Sequence, residues 1–234
     1  SLDDEKMQSI SFENNLSETA FVSINESPIY IRWFTPSIEV DLCGHATLAS
    51  ARILFEHYPE LAGKEINFDS KSGILKVTKN KDDLCLNFPA DKPVLLDSDP
   101  LFEEILGAEP LQLLRGKDDY LAIFESQKQI ESIKPDFYML SKLDSRGLVI
   151  SAPGDKVDFV SRCFYPEAGI EEDPVTGSAH TMLTPYWAKE LNKNQLEADQ
   201  LSKRGGKLNC ILADDRVFIS GKSVIYFDGI ISIV

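Results

Sequence analysis

The chain has 234 residues, a hydrophobic content of 43% and a formal net charge of −14. That length can bury one large core or two small ones, and the negative balance repels phosphate backbones and anionic lipid, which argues against nucleic acid and membrane surfaces as partners. No apolar run approaches the roughly 20 residues of a bilayer span and no signal pattern opens the chain, so a cytoplasmic protein is expected.

Residues 2–14 read as a helix with Met7, Ile10 and Phe12 facing inward. Asn15-Leu16-Ser17-Glu18-Thr19 breaks that pattern before an extended segment at 20–24, which leaves Glu18 at a helix-to-strand junction. Ile29–Phe34 alternates as a strand, and Pro36 ends it because proline cannot donate to a central ladder. From Ala46 to Phe55 the apolar residues fall on every side of a helical projection, the pattern of a helix surrounded by protein. Strands are expected near 65–68, 73–78 and 84–88. The proline- and aspartate-rich stretch 89–100 is the linker candidate, dividing the chain into half-domains 1–94 and 95–223. Beyond it come a helix at 101–106, a strand at 120–124, a helix over 130–142 around Pro135, and strands at 148–151 and 157–164. A second buried helix follows at 178–191, in which Pro185 costs an internal hydrogen bond or a kink. The tail, 223–227 and 230–234, reads as strand to the last residue.

An internal repeat runs through these elements. Arg32-Trp33-Phe34-Thr35-Pro36 returns as Arg162-Cys163-Phe164-Tyr165-Pro166, and Gly44-His45-Ala46 returns as Gly177-Ser178-Ala179 (177 − 44 = 133). The offset of 133 then holds for Gly73 with Gly206 and for Leu84-Cys85-Leu86 with Val217-Phe218-Ile219. Two similar halves are expected, each a set of strands around its own buried helix. Segment 111–124 has no counterpart, since at an offset near 130 it would precede residue 1. The first half therefore reads as lacking its opening strand, with 224–234 as a candidate to complete it.

If the halves face each other, both buried helices direct their first turns into one cleft, where unpaired N–H groups favour a carboxylate. Gly44 and Gly177 let the backbone come close to such a ligand. Removal of an α-proton would then need a base, for which Glu18, Asp173, His45 and Cys43 are the candidates. Each has a bland alternative: Glu18 as a helix-capping or solvated carboxylate, His45 as a hydrogen-bonded structural residue, Asp173 as part of the acidic loop 171–173, and Cys43 as a small buried hydrophobe. The four cysteines (Cys43, Cys85, Cys163, Cys210) are far apart without a C-x-x-C, so reduced thiols and no metal site are expected.

Four motifs together, Asn15-Leu16-Ser17-Glu18-Thr19-Ala20-Phe21, Arg32 to Pro36, Glu39 to Ala49 and Glu172-Asp173-Pro174-Val175-Thr176-Gly177-Ser178-Ala179-His180, resemble the phenazine-biosynthesis PhzF-like family over nearly the whole chain. The resemblance implies an α+β, diaminopimelate-epimerase-like fold: two pseudo-symmetric halves, each a strand barrel wrapped around a central helix. It also implies cofactor-independent isomerisation by proton shuttling on a small carboxylate-bearing molecule, as in the member that isomerises a dihydro-hydroxyanthranilate. By motif position Glu18 is the acid/base, with His45 and Asp173 beside it; Cys43, Gly44, Thr176, Gly177 and Ser178 are the substrate-binding candidates. The oligomeric state stays open between monomer and homodimer. Two departures matter: the family's opening strand is absent, and Thr176 stands where diaminopimelate epimerases carry their second cysteine, which disfavours a two-thiol racemase. A non-catalytic binding protein of the same fold and a Cys43/His45 thiol hydrolase are the competing readings.

Overall fold

A computed structural model of the chain describes residues 2–25, 27–61 and 63–231. The first half contains α1 (Asp4–Asn14), β1 (Thr19–Ser23), β2 (Ile29–Phe34), β3 (Glu39–Val40), α2 (Gly44–His57), β4 (Ile66–Ser70), β5 (Gly73–Asn80) and β6 (Asp83–Pro89). After the crossing come β7 (Val94–Leu95), α3 (Pro100–Leu106), β8 (Gln112–Arg115), β9 (Asp119–Ile123), α4 (Gln127–Ser132), α5 (Phe137–Leu140), β10 (Gly147–Pro153) and β11 (Phe159–Phe164). The chain closes with α6 (Gly177–Leu191), β12 (Gln195–Gln200), β13 (Gly206–Ala213) and β14 (Arg216–Lys222).

The fold is α+β, and its halves repeat the same pairings. β1 with β2 and β10 with β11 are antiparallel, β2 with β4 and β11 with β12 are parallel, and the two hairpin steps that follow in each half are antiparallel. β6 and β14 then join the halves into one sheet, placing Leu86 opposite Ile219. These two residues are partners in the repeat, so the pseudo-twofold axis passes through their pair. In each half the strands wrap one helix. α2 buries Ala46, Thr47, Ala51, Leu54 and Phe55, and α6 buries every residue from Met182 to Ala188. A single apolar core runs through both halves, with a satellite under α3, α4 and α5 built on Phe102, Phe124 and Ile130. Among the described residues no helix is long and apolar enough to cross a membrane.

Pro185 sits inside α6 without ending it, and the sheet crossing explains why. Proline has no N–H, so the carbonyl four residues earlier, Thr181, loses its helical donor. The backbone N–H of Asp91, in the crossing between β6 and β7, donates to that carbonyl at 3.0 Å. The hydrogen bond that the sequence predicts to be lost is replaced from outside the helix.

Three expectations are corrected. In α1 the inward residues are Met7 and Ser11, one helical turn apart, whereas Phe12 is exposed. The helix expected over 130–142 is two, α4 and α5, because Pro135 cannot donate and its ring disfavours a helical residue before it. The tail is in no strand over 223–231, and 232–234 lie outside the described residues. Its β-branched and aromatic residues find no ladder or core, and Tyr226 is 99% exposed.

Candidate active site

The site is built on the two helix starts. Cys43 precedes α2 and Thr176 precedes α6, both with extended backbone and neither with a side chain bonded to the first-turn N–H groups. No acidic residue occupies either first turn. A Cβ added at Gly44 would lie 3.1 Å from the Cα of Gly177, and one added at Gly177 would lie 3.3 Å from the Cα of Gly44. Both contacts are tight and made with backbone, so glycine is favoured at both positions by the approach of one helix start to the other, where the sequence predicts the approach of a ligand.

The first half supplies a carboxylate, an imidazole and a thiol. Asn15 takes a left-handed conformation at the end of α1, and the short turn after it delivers Glu18 directly before β1. Glu18 Oε2 lies 3.1 Å from His45 Nε2, with both side chains mostly buried. That is an ion-pair distance without the alignment of a hydrogen bond, so Oε2 keeps an unfilled acceptor position. Ser17 Oγ is 3.4 Å from the same nitrogen, and Cys43 Sγ is 3.8 and 3.9 Å from the two ring nitrogens. Burial pushes the Glu18 carboxyl up, but His45, with Ser17 and Cys43, pulls it below the usual range, so it is ionised at neutral pH. Burial opposes charge on His45, and its neighbours Cys43, Glu18 and Asp173 outweigh that and raise it. Burial drives the Cys43 thiol up to about 11, so a thiolate is not favoured.

The second half supplies a different set. Asp173 is buried, with its carboxyl pushed up to about 6 by burial and by the charge of Glu18, against the opposing pull of His45. Thr176 Oγ1 donates to Asp173 Oδ2. Ser178 Oγ accepts from Arg146 Nη1 at 3.2 Å. Arg146 is in turn held by Asp119 from β9, with Nε to Oδ1 at 2.9 Å, and its guanidinium lies 5.2 Å over the Tyr165 ring. A guanidinium can only donate, so the Ser178 proton is left for another acceptor.

All eight residues singled out in the sequence sit at or beside the two helix starts. The sequence reading missed Arg146, Asp119, Tyr165 and Gln200. Only the strand pairing shows where Arg146 falls in the repeat: Thr19 pairs with Phe34 and Leu148 with Phe164, so Ser17-Glu18 correspond to Arg146-Gly147. The dissimilar residue types hide that match. Glu18, Cys43 and His45 also place one donor atom each within 4.8 Å of one another, a set that could hold a cation. The thiol would first have to give up a proton that burial holds on it, and the imidazole and carboxylate already neutralise each other.

A family model described as phenazine biosynthesis-like protein matches residues 1–229. An uncharacterized isomerase of Pseudomonas aeruginosa is 49% identical over 228 residues, covering 97% of this chain and 87% of that protein. The phenazine biosynthesis-like domain-containing protein 2 of Mus musculus is 38% identical over 256 residues, covering 97% and 88%. A crystal structure of a PhzF-family phenazine biosynthesis protein from Enterococcus faecalis superposes with a TM-score of 0.91 at 43% identity, covering 97% of this chain and 87% of that one.

Proposed function

The chain belongs to the phenazine biosynthesis-like family and is an isomerase-type enzyme, and from that premise we propose that it shifts a proton within a small carboxylate-bearing metabolite without a cofactor. The observation that carries this reading is the buried Glu18–His45 pair at the start of α2, within electrostatic reach of Asp173 at the start of α6. The substrate carboxylate accepts hydrogen bonds from the uncapped first-turn N–H groups near Gly44 and Gly177. Glu18, kept ionised by His45, takes a proton from the adjacent carbon, and the same carboxyl returns it elsewhere on the molecule. The charge that develops meets the helix N–H groups, the Ser178 hydroxyl and the proton of Asp173. One preorganised donor is worth about 3–4 kcal/mol and one placed acid/base about 10²–10⁴ in rate.

A panel of small carboxylic acids in deuterated water tests this reading. The wild-type protein incorporates deuterium into at least one of them, and Glu18→Gln lowers the exchange by about 10²–10⁴ while leaving binding within about tenfold, or about 1.4 kcal/mol. Binding without exchange by the wild type would instead favour a non-catalytic binding protein. The thiol hydrolase reading is disfavoured by the Cys43 proton, which is held to about pH 11.

A further inference from the structure

Behind Asp173 lies a chain of buried hydrogen bonds whose donors and acceptors are fixed by elementary chemistry. The backbone nitrogen of Thr176 can only donate, so the Gln200 atom 2.7 Å from it is the carbonyl Oε1. The other amide atom, Nε2, lies 2.8 Å from the Asp173 carbonyl oxygen, which can only accept. Two independent neighbours therefore set the same amide orientation. Nε2 has two hydrogens, one for that carbonyl and one for Thr176 Oγ1 at 3.1 Å. Since Thr176 Oγ1 accepts from Gln200, its own proton goes to Asp173 Oδ2. Asp173 Oδ1 is left buried and unpartnered.

We propose that Gln200 is a positioning residue which, acting through Thr176, reserves Asp173 Oδ1 as the atom that holds and releases the proton of this carboxyl. The inference rests on the reading of Asp173 as part of the acid/base machinery. With Oδ2 committed as an acceptor, protonation there would set a carboxyl hydrogen against the Thr176 hydroxyl hydrogen, so the proton resides on Oδ1. The relay is not a by-product of the shared fold. Ile29 pairs with Phe68 and Phe159 with Ala198, so Gln200 corresponds to Ser70 in the first half. Ser70 turns away to donate to the Gly73 carbonyl at 2.8 Å, and Cys43 stands where Thr176 does. Only the second half carries the device. Gln200 is 1% exposed and Asp173 4%, so water does not compete for these bonds.

The test is a substrate-free titration of the Asp173 carboxyl carbon by NMR in protein labelled at aspartate. The wild-type group is expected near 6, raised by burial and by Glu18 and lowered by His45, Thr176 and Arg204. Thr176 donation favours the charged form, so its loss raises the value; Thr176→Val shifts it upward by roughly half a unit or more. Gln200→Met gives the same upward shift by freeing the Thr176 hydroxyl, and the double variant shifts no further, while Thr176→Ser restores the wild-type curve. Gln200→Leu, likewise uncharged and without a donor, serves if Gln200→Met does not fold, and it too raises Asp173. A folded Gln200 variant with an unchanged Asp173 titration, or additive shifts in the double variant, overturns the proposal. Because no substrate is used, failure of the isomerase reading would leave this result intact.

Discussion

The starts of α2 and α6 have the same backbone and opposite chemistry. At α2 the position just before the neighbouring strand carries Glu18, and its carboxylate reaches the imidazole that follows the helix glycine. At α6 the matching position is Gly147, where a Cβ would come within 2.3 Å of the Tyr165 ring, so no side chain fits. The second half fills the space with that ring and with Arg146, which is anchored by Asp119 on β9. Among the described residues β1 stands at the end of the sheet path, with no strand in the place that β9 takes beside β10. The two helix starts thus share a backbone while their side chains differ. One start carries an ionised carboxylate beside an imidazole; the other carries a carboxyl raised to about 6 and a hydroxyl that accepts from Arg146.

The largest effect expected from breaking this division is kinetic. Glu18→Gln lowers proton exchange by up to about 10⁴, while Asp173→Asn, which removes a supporting acid and leaves the helix N–H groups in place, costs about 10², the low end of the worth of one donor. Equal losses would mean that both halves supply a base. Next come the residues on the pseudo-axis: Leu86→Ala and Ile219→Ala each cost about 2–5 kcal/mol by chemical denaturation, since both are almost fully buried. Because they occupy equivalent sites, the two costs agree within about 1 kcal/mol; a larger gap would show that the halves are not packed alike at their seam.

The equivalent arginines should separate. Arg32 makes a two-point pair with Glu39 at 2.7 and 2.9 Å, and Arg162 does the same with Glu172 at 2.7 and 3.0 Å. Arg32 also donates to the exposed carboxylate of Asp4 at 2.7 Å, whereas Arg162 donates to the carbonyls of Ile130 and Ile133 and so ties down the end of α4. Arg162→Ala is expected to cost about 2–4 kcal/mol and Arg32→Ala about 1–2, measured as the change in denaturation midpoint. A comparable effect is a stability that depends on pH. The Asp173 carboxyl is raised in the folded protein from an ordinary 3.8 to about 6, so its proton stabilises the fold below about pH 3.8 and that contribution is lost as pH rises through 6. Asp173→Asn escapes the loss, and is more stable than wild type at pH 8 by up to about 3 kcal/mol, the full value of the shift. The gain disappears near pH 4. A gain that does not vary with pH would mean that the carboxyl is not the strained group.

Much of this was legible in the sequence because the repeat preserves backbone requirements. Gly44 and Gly177 mark the helix approach directly, and strand bounds at β5 and β13 coincide at the offset of 133. Even so, identical residues can answer different needs. Gly73 adopts a positive φ of 90° in open space, whereas its partner Gly206 lies where a Cβ would meet Val175 at 2.5 Å. Glu18 was one of four candidate bases by position, and its family motif set it apart from the others, since a lone carboxylate at a helix end has many ordinary uses. Arg146, Asp119 and Gln200 were not legible, because strands distant in sequence bring them to the site and no local pattern records that meeting. The tail misled because β-propensity describes a fit to a partner strand, and here none is present.

The smallest expected effect belongs to the residue whose chemistry looks most reactive. Cys43 stands at the start of a helix beside an imidazole, an arrangement that in other settings lowers a thiol's pKa. Here the first contribution is burial, together with the negative charge of Glu18 and Asp173, and these outweigh His45 to leave the thiol at about 11. At pH 7.5 its ionised fraction is on the order of one part in several thousand. A two-thiol mechanism would also need a second thiol at the start of α6, and that position is Thr176, already committed to Asp173. Cys43→Ala should therefore change proton exchange by less than about tenfold, with a stability loss of about 1 kcal/mol for the vacated sulfur. Cys43→Ser should fall no lower in rate, since its hydroxyl can contact His45 as the thiol does. A loss beyond about 10² in both variants, with Glu18→Gln still active, would move the base from the carboxylate to the thiol and reverse the roles assigned within the first half.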